Sequence, residues 1–316
     1  MMNKPYFSCG NWNCISNEDI YLICVIRDES IMLDFFINYY NNAGVTHFIL
    51  IDNSSEDDPQ SVVEKFPNLN IRLYLQKDSY KEASYGTDWI NYFLKTYLGN
   101  CYCIIVDSDE ILLCGDDEQN SIRNHVEKMK ASGKNVQPSL LLDMYPKSIN
   151  QNYQPGLSFN NHSSFFDEFN TEFYHSHKPI FSNFSHKTGG VRERVFNINV
   201  CIHKFPLFKY DFDYKISPGC HFFLDDKGQV VFEKSEKIFE STQPVFLLHY
   251  KFIKPDLAMQ INRRIKRNQD WDNSAEYKSY SAKIKSDEFT LYSDKYSRVY
   301  EGYKSLRLMF LPFFSN

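Results

Sequence analysis

Three carboxylates crowd into four residues at the end of an apolar run. In "CYCIIVDSDEILL" (101–113), Asp107, Asp109 and Glu110 follow a stretch that reads as a buried strand. Like charges at that spacing repel one another and are costly to bury unpaired, so a positive partner is required. In extended chain alternate residues point the same way, and the carboxylates of Asp107-Ser108-Asp109 can then face one point. Hard oxygen ligands of this sort suit Mg²⁺ or Mn²⁺, ions that complete their shell with phosphate oxygens because they give up water reluctantly. A divalent cation together with a bound diphosphate would offset the crowding. An acidic loop facing water is the plain alternative, and the three residues alone do not separate the two.

The elements that would hold this motif alternate. "IYLICVI" (20–26) is a short β-branched run with the pattern of a buried strand, and it stops at Arg27-Asp28-Glu29-Ser30. "IMLDFFINYYNNAG" then repeats at helical spacing up to Asn42 and Gly44, which act as stop signals. "HFILID" (47–52) and "NIRLYL" (70–75) predict further strands, a short helix is expected near 60–66 and another over 83–98, and "CYCIIVD" (101–107) is the fourth strand. This order predicts a parallel α/β sheet with right-handed crossovers. Each strand hands over to acid at its carboxyl end: Asp28, Asp52, Asp78, then Asp107 with Asp109. Open α/β sheets bind ligands along that edge, which raises the weight of the metal reading.

The second half is less regular. Strands are expected at 139–145 and 245–252, a long polar and aromatic loop system at 150–190, and helices from Pro255 onward. With no internal repeat or low-complexity linker, the pattern predicts one domain at 15–254, with a nucleotide-binding half at about 18–115, an acceptor half at about 139–254 and a helical extension at 255–316.

With 35 Lys plus Arg against 40 Asp plus Glu, the net charge of −5 argues against nucleic acid as the main partner. An aromatic share of 16% is high; thick cores use such a surplus, as do sugar sites, and the core reading is preferred. No uncharged run approaches a membrane span, and "MMNKPYFSCGNWNC" has no apolar signal region. Cysteines 9, 14, 24, 101, 103, 114, 201 and 220 form no CxxC pair and read as small hydrophobes of a reduced, cytoplasmic protein. "LRLMFLPFF" (306–314) reads as an end docked on the core in preference to a membrane-touching tail.

"CVIRDESIMLDFFINYYNNAGVTHFILIDNSSEDD" resembles the opening of the family 2-like glycosyltransferases of the GT-A fold, and "IIVDSDEILL" resembles their metal-binding DxD strand. "GGVRERVF" (189–196), "KFPLFKY" (204–210), "GCHFF" (219–223) and "LLHYKF" (247–252) are similar to later blocks of a bacterial branch akin to the family 92 type. The resemblance spans about residues 18–280, and Asp28 departs from it by standing where Asn is usual. It implies a metal-dependent transferase of the hexosyltransferase class that uses a UDP-linked sugar, inverts the anomeric centre, and extends a glycan or lipid-linked acceptor in surface polysaccharide synthesis. It further implies that Arg27, Asp28 and Glu29, with Asp52 and Asn53, hold the nucleoside. Asp107 would contact ribose or metal, Asp109 would ligate the metal, and His249 would be a distant metal-side ligand; a satisfied core histidine is the competing reading.

One base should then suffice, and Glu193 and His221 are preferred to Asp143. On a strand Arg192 and Arg194 would share a face and could hold phosphate. His175-Ser176-His177 has a metal-like spacing but no acid or cysteine near it in sequence, so zinc is not favoured there. "RRIKR" (263–267) could bind phosphate, anionic lipid or nucleic acid, but reads first as a solvated helix face and second as an attraction to a lipid-linked acceptor at the inner membrane surface, in preference to nucleic acid. The competing classes are a Mg²⁺-dependent phosphatase or phosphotransferase, which also uses DxD after a strand, and a non-catalytic sugar-nucleotide-binding protein.

Overall fold

The structure, a computed structural model, describes residues 4–12, 16, 18–116, 119–149, 152–181, 184–210, 214–231, 245–254, 256–285 and 289–314. Cys14 lies outside the described residues.

The first part alternates as its hydrophobic pattern requires. After β1 (Phe7–Cys9) come β2 (Ile20–Ile26), α1 (Ser30–Asn42), β3 (His47–Asp52), α2 (Pro59–Val63), β4 (Asn70–Leu75), α3 (Thr87–Tyr97) and β5 (Tyr102–Ile105). Continuous apolar runs form the central strands because both of their faces are covered. Ile20, Leu22 and Cys24 of β2 pack into the core under α1, whereas Tyr21 and Ile23 pack into the opposite core under α3. Next are β6 (Glu110–Leu113), α4 (Ser121–Ala131) and β7 (Val136–Asp143), then β8 (Phe165–Asp167), β9 (Tyr174–Phe181), β10 (Phe184–Gly189), α5 (Val191–Phe196) and β11 (His203–Lys209). The chain finishes with β12 (Lys215–Ile216), β13 (Phe223–Leu224), β14 (Phe246–His249), α6 (Leu257–Arg267), α7 (Trp271–Lys283), β15 (Ser297–Val299) and α8 (Tyr303–Phe314).

Among the described residues nine strands make one sheet in the order β1-β4-β3-β2-β5-β11-β7-β14-β6. β4, β3, β2, β5, β7 and β14 run the same way, and β1, β11 and β6 oppose them. The result is the expected mixed α/β architecture, a large and mostly parallel sheet flanked by helices. Its six parallel strands aim their carboxyl ends at one edge, and that edge carries the acids. Leu306, Phe310 and Phe313 of α8 are buried in the same core as α1 and α4, while Leu308 is 75% exposed. Among the described residues no helix is long and apolar enough to cross a membrane.

Two expectations need correction. The stretch at 150–190 is not loop throughout, since β8, β9 and β10 lie in it; β9 and β10 pair with each other through backbone bonds, which apolar alternation does not report. The Arg192–Arg194 segment is helix, not strand. Gly189 and Gly190, at φ +124° and +90°, turn the chain out of β10, and Val191 and Phe196 then bury in a third core with α6 and α7. On a helix Arg192 and Arg194 point about 200° apart and cannot form one phosphate clamp.

Gly189 is required at this turn. A Cβ there would sit 1.9 Å from the carbonyl oxygen of Phe173, in a backbone conformation that L residues avoid. Gly189→Ala is expected to cost at least about 2 kcal/mol, read as a lowered urea midpoint with an unchanged slope. An unaltered midpoint would show that this turn is not strained by a side chain.

Candidate active site

The DxD sits in a turn, not in extended chain. β5 ends at Ile105, the amide of Glu110 donates to the carbonyl of Asp107 at 3.0 Å, and the buried Ser108 hydroxyl donates to Glu29. Pinning the middle residue separates its neighbours. The Asp107 side chain is 61% exposed, whereas that of Asp109 is 15% exposed. The two aspartates therefore sit in different surroundings.

Strand register places a row of functional groups beside Asp109. His249 at the end of β14 lies opposite Asp143 on β7 and Glu110 on β6. His249 Nδ1 is 2.7 Å from Asp143 Oδ1, and its Nε2 is 3.8 Å from Asp109 Oδ2. An imidazole that gives its Nδ1 proton to a carboxylate keeps a lone pair on Nε2, the arrangement common to metal-bound histidines. At 3.8 Å the Nε2 and the Asp109 oxygen are too far apart for a hydrogen bond. The donor set, one hard carboxylate oxygen and one oriented imidazole nitrogen, could take Mn²⁺; Mg²⁺, which prefers an all-oxygen shell, fits it less well. Burial would push the Asp109 carboxyl up, but His249, Lys254, Lys251 and Arg264 outweigh it and hold the group below the usual carboxylate range.

Asp143 is fixed in turn by Arg192, whose Nε lies 2.7 Å from Asp143 Oδ2 and whose Nη1 lies 3.2 Å from Glu276 on α7. Lys251 is 3.4 Å from the same Glu276 carboxylate, and Tyr280 also donates to it. The chain Glu276–Arg192–Asp143–His249–Asp109 thus runs from the third core to the mouth of the site. Arg194 has a separate task, binding Asp167 with Nε at 2.7 Å and Nη2 at 2.9 Å.

The crowded acids find their cations in two places. Lys204 on β11 pairs with Glu110 and approaches Asp107 at 3.8 Å. Although burial alone would lower it, Glu110 and Asp107 hold the Lys204 ammonium above its ordinary range. Glu29 meets Lys254 at 2.5 Å and Arg264 at 3.6 Å. Arg267, one turn further along α6, reaches Asp28 at 2.7 Å and Glu56 at 3.1 Å. Two members of the "RRIKR" run therefore serve the acid edge, while Arg263 and Lys266 remain exposed. Arg267 also answers the unusual acid at 28, whose other oxygen accepts from the amide of Glu56 at 2.7 Å. Lys204, Lys254, Arg264 and Arg267 were not among the expected site residues. The spacing of Arg264 and Arg267, three apart on one helix face, is the signal that could have found the last two.

The remaining candidates are held by contacts of their own. Arg27 Nη1 donates to Asn53 Oδ1 at 3.1 Å and to Gln269 at 3.0 Å, and Asn53 donates to the carbonyls of Gln76 and Asp78. Asp52 is engaged within the chain, one oxygen taking the Ser55 amide and hydroxyl and the other the Tyr6 hydroxyl. Asp107, Glu110, Lys204, Tyr80 and Gly219 line a cleft beside the DxD turn. His221 follows that cleft's Gly219-Cys220; its Nδ1 is 2.6 Å from the carbonyl oxygen of His203, and burial together with Lys204 pushes it down to about 3. Glu193 lies on α5 next to Arg192, with Oε1 2.9 Å from His175 Nε2 and its buried Oε2 unpartnered among the described residues. Arg192 Nη2 is likewise buried without a hydrogen-bond partner among them.

No protein-family model matches this chain. No curated protein matches it either. Among solved structures, HddC from Yersinia pseudotuberculosis overlaps at a TM-score of 0.29, with 10% identity over 60% of this chain and 73% of that one. The 4-diphosphocytidyl-2C-methyl-D-erythritol synthase of Anaerococcus prevotii overlaps at 0.27, with 12% identity over 43% of this chain and 60% of that one. A second 4-diphosphocytidyl-2C-methyl-D-erythritol synthase gives 0.27, with 12% identity over 46% and 68%. At these scores the overlaps carry no argument, and the account of the fold rests on the sheet described above.

Proposed function

We propose that this chain is a divalent-cation-dependent glycosyltransferase that moves a sugar from a UDP-linked donor to a hydroxyl of a glycan or lipid-linked acceptor, with inversion. The observation that carries this reading is the line Asp143–His249–Asp109 at the carboxyl edge of a parallel sheet. There a histidine with its tautomer set by one carboxylate turns its free nitrogen toward another. The resemblance of the DxD and His249 segments to family 2-like glycosyltransferases agrees with it.

Asp109 and His249 would hold the cation, with Asp107 at the exposed mouth positioned to meet ribose or metal-bound water. When bound, Mn²⁺ or Mg²⁺ supplies charge neutralisation at the departing nucleoside diphosphate. Lys254 and Arg264, already facing the acid edge through Glu29, would bind the diphosphate oxygens. Arg27, oriented by Asn53 and Gln269, would lie along the nucleoside. Of the two candidate bases, His221 is too weakly basic to take a hydroxyl proton near neutral pH. Glu193, one carboxylate oxygen of which is held by His175, is the candidate that remains.

The site predicts cooperative binding of metal and nucleotide. At about one hundred times its dissociation constant, UDP with Mn²⁺ should stabilise the fold by about 2.7 kcal/mol, a rise in Tm of about 4 °C. UDP with a chelator should give almost none of this. Absence of any shift with UDP, GDP or CDP in the presence of Mn²⁺ would remove the reading.

A further inference from the structure

Histidines and a cysteine that the proposed transfer does not use converge where the β9–β10 hairpin meets β11. His177, His186 and His203 stand side by side, with neighbouring ring centroids 5.3 Å and 5.1 Å apart. The backbone sets this row. Thr188 bridges Cys201 in antiparallel fashion, and the amide of Ile202 donates to the carbonyl of Lys187 at 2.9 Å. Residues two positions on share a face in such a pairing, so His186 comes opposite His203, with Cys201 on the same side. Cys201 Sγ lies 3.3 Å from His203 Nδ1 and 3.7 Å from its Nε2. One ligand atom each from His186, Cys201 and His203 falls within 4.8 Å of the other two.

The Cys201–His203 separation is that of two ligands of one tetrahedral zinc, and the His186 nitrogen lies close enough to join them after a small side-chain adjustment. Zn–S and Zn–N bonds of the usual lengths bring sulfur and nitrogen to about 3.6 Å and two nitrogens to about 3.4 Å. The donor set differs in kind from Asp109 and His249: a thiolate with imidazoles selects zinc over Mn²⁺ or Mg²⁺. We propose that His186, Cys201 and His203 form a second, structural metal site for zinc, with the fourth position open to His177 or water. On binding, the Cys201 thiol loses its proton to solvent and its sulfur bonds the metal. Nδ1 of His203 would exchange its long contact with the Lys187 amide, 3.3 Å, for the metal bond. The consequence is a clamp at the head of β11, one residue before Lys204 and at the carbonyl that holds His221.

The test is cobalt substitution of the full chain. After removal of bound metal by a chelator, one equivalent of Co²⁺ should produce a thiolate-to-cobalt charge-transfer band and strong tetrahedral visible bands, both abolished by added Zn²⁺. Cys201→Ala should lose the charge-transfer band, and His186→Ala, at a half-exposed position, should weaken zinc binding by about tenfold or more. Asp109→Ala should keep every band, which separates this site from the proposed transferase centre. A wild-type chain that gives no thiolate band, or a band that survives in Cys201→Ala, overturns the proposal. So does zinc-loaded wild-type protein that emerges from gel filtration without bound zinc, a readout that needs no variant to fold.

Discussion

Asp109→Ala is expected to abolish Mn²⁺-dependent release of UDP from a nucleotide sugar while leaving the protein folded. The carboxylate contributes no direct hydrogen bond to His249, since 3.8 Å separates them, and the contact that anchors the local turn is the Asp109 carbonyl, which takes the Tyr250 amide at 2.8 Å and survives the substitution. Because His249, Lys254, Lys251 and Arg264 hold the Asp109 carboxyl below its ordinary range, its removal takes away a net favourable charge contact, so Tm at pH 7 should fall slightly without loss of the fold. Activity should fall by about 10³-fold or more, because a cation at a departing diphosphate is worth several kcal/mol and each 1.36 kcal/mol is tenfold in rate. Asp109→Asn, which keeps the shape, should behave alike. The measurement is kcat/KM over a Mn²⁺ titration with a panel of nucleotide sugars, alongside circular dichroism. Retained turnover in a folded Asp109→Ala protein would refute the metal role.

Arg192→Ala should produce the largest loss of stability of any substitution considered, about 3–5 kcal/mol at neutral pH. Arg192 is buried between Asp143 and Glu276, and its removal leaves two carboxylates without their shared cation. Burial alone would raise the Asp143 carboxyl, but Arg192 and His249 hold it below its ordinary range; Glu276 is held low against burial by Lys251 and then Arg192. A carboxyl whose folded value is depressed contributes stability that is fully present above its unfolded value, near 4, and is lost as pH falls through the folded one. The wild-type protein should therefore lose stability below about pH 4.5. The variant lacks most of that contribution at pH 7, so its deficit should be largest there and shrink on acidification. Urea midpoints at pH 7 and pH 4 read this directly. A deficit independent of pH would mean that Arg192 acts by packing alone. Because Asp143 orients His249, the variant should also bind Mn²⁺ and UDP less tightly.

Much of the scaffold was legible in one dimension. The runs at 20–26, 47–52 and 70–75 became β2, β3 and β4 at the residues expected, because a strand covered on both faces has to be continuously apolar. The edge carrying Asp28, Asp52, Asp107 and Asp109 followed from alternation alone. The β9–β10 hairpin was not legible, since its residues are polar and its strands are held by backbone hydrogen bonds to one another. Nor was the helical state of 191–196, which depends on two glycines leaving β10 at positive φ and on a third core supplied by α6 and α7.

The local chain accounts for the acid-rich edge, since that depends on residues within a few positions of each strand end. Long-range packing assigned the roles. Ser108 bonding to Glu29 splits the DxD into one exposed and one buried aspartate, and Asp143 sets the tautomer of a histidine 106 residues away. Arg264 and Arg267 come back from α6 to neutralise Glu29 and Asp28. Charges at such separations in sequence meet only once the sheet has closed, and their energies depend on distance and burial, which no spacing along the chain encodes.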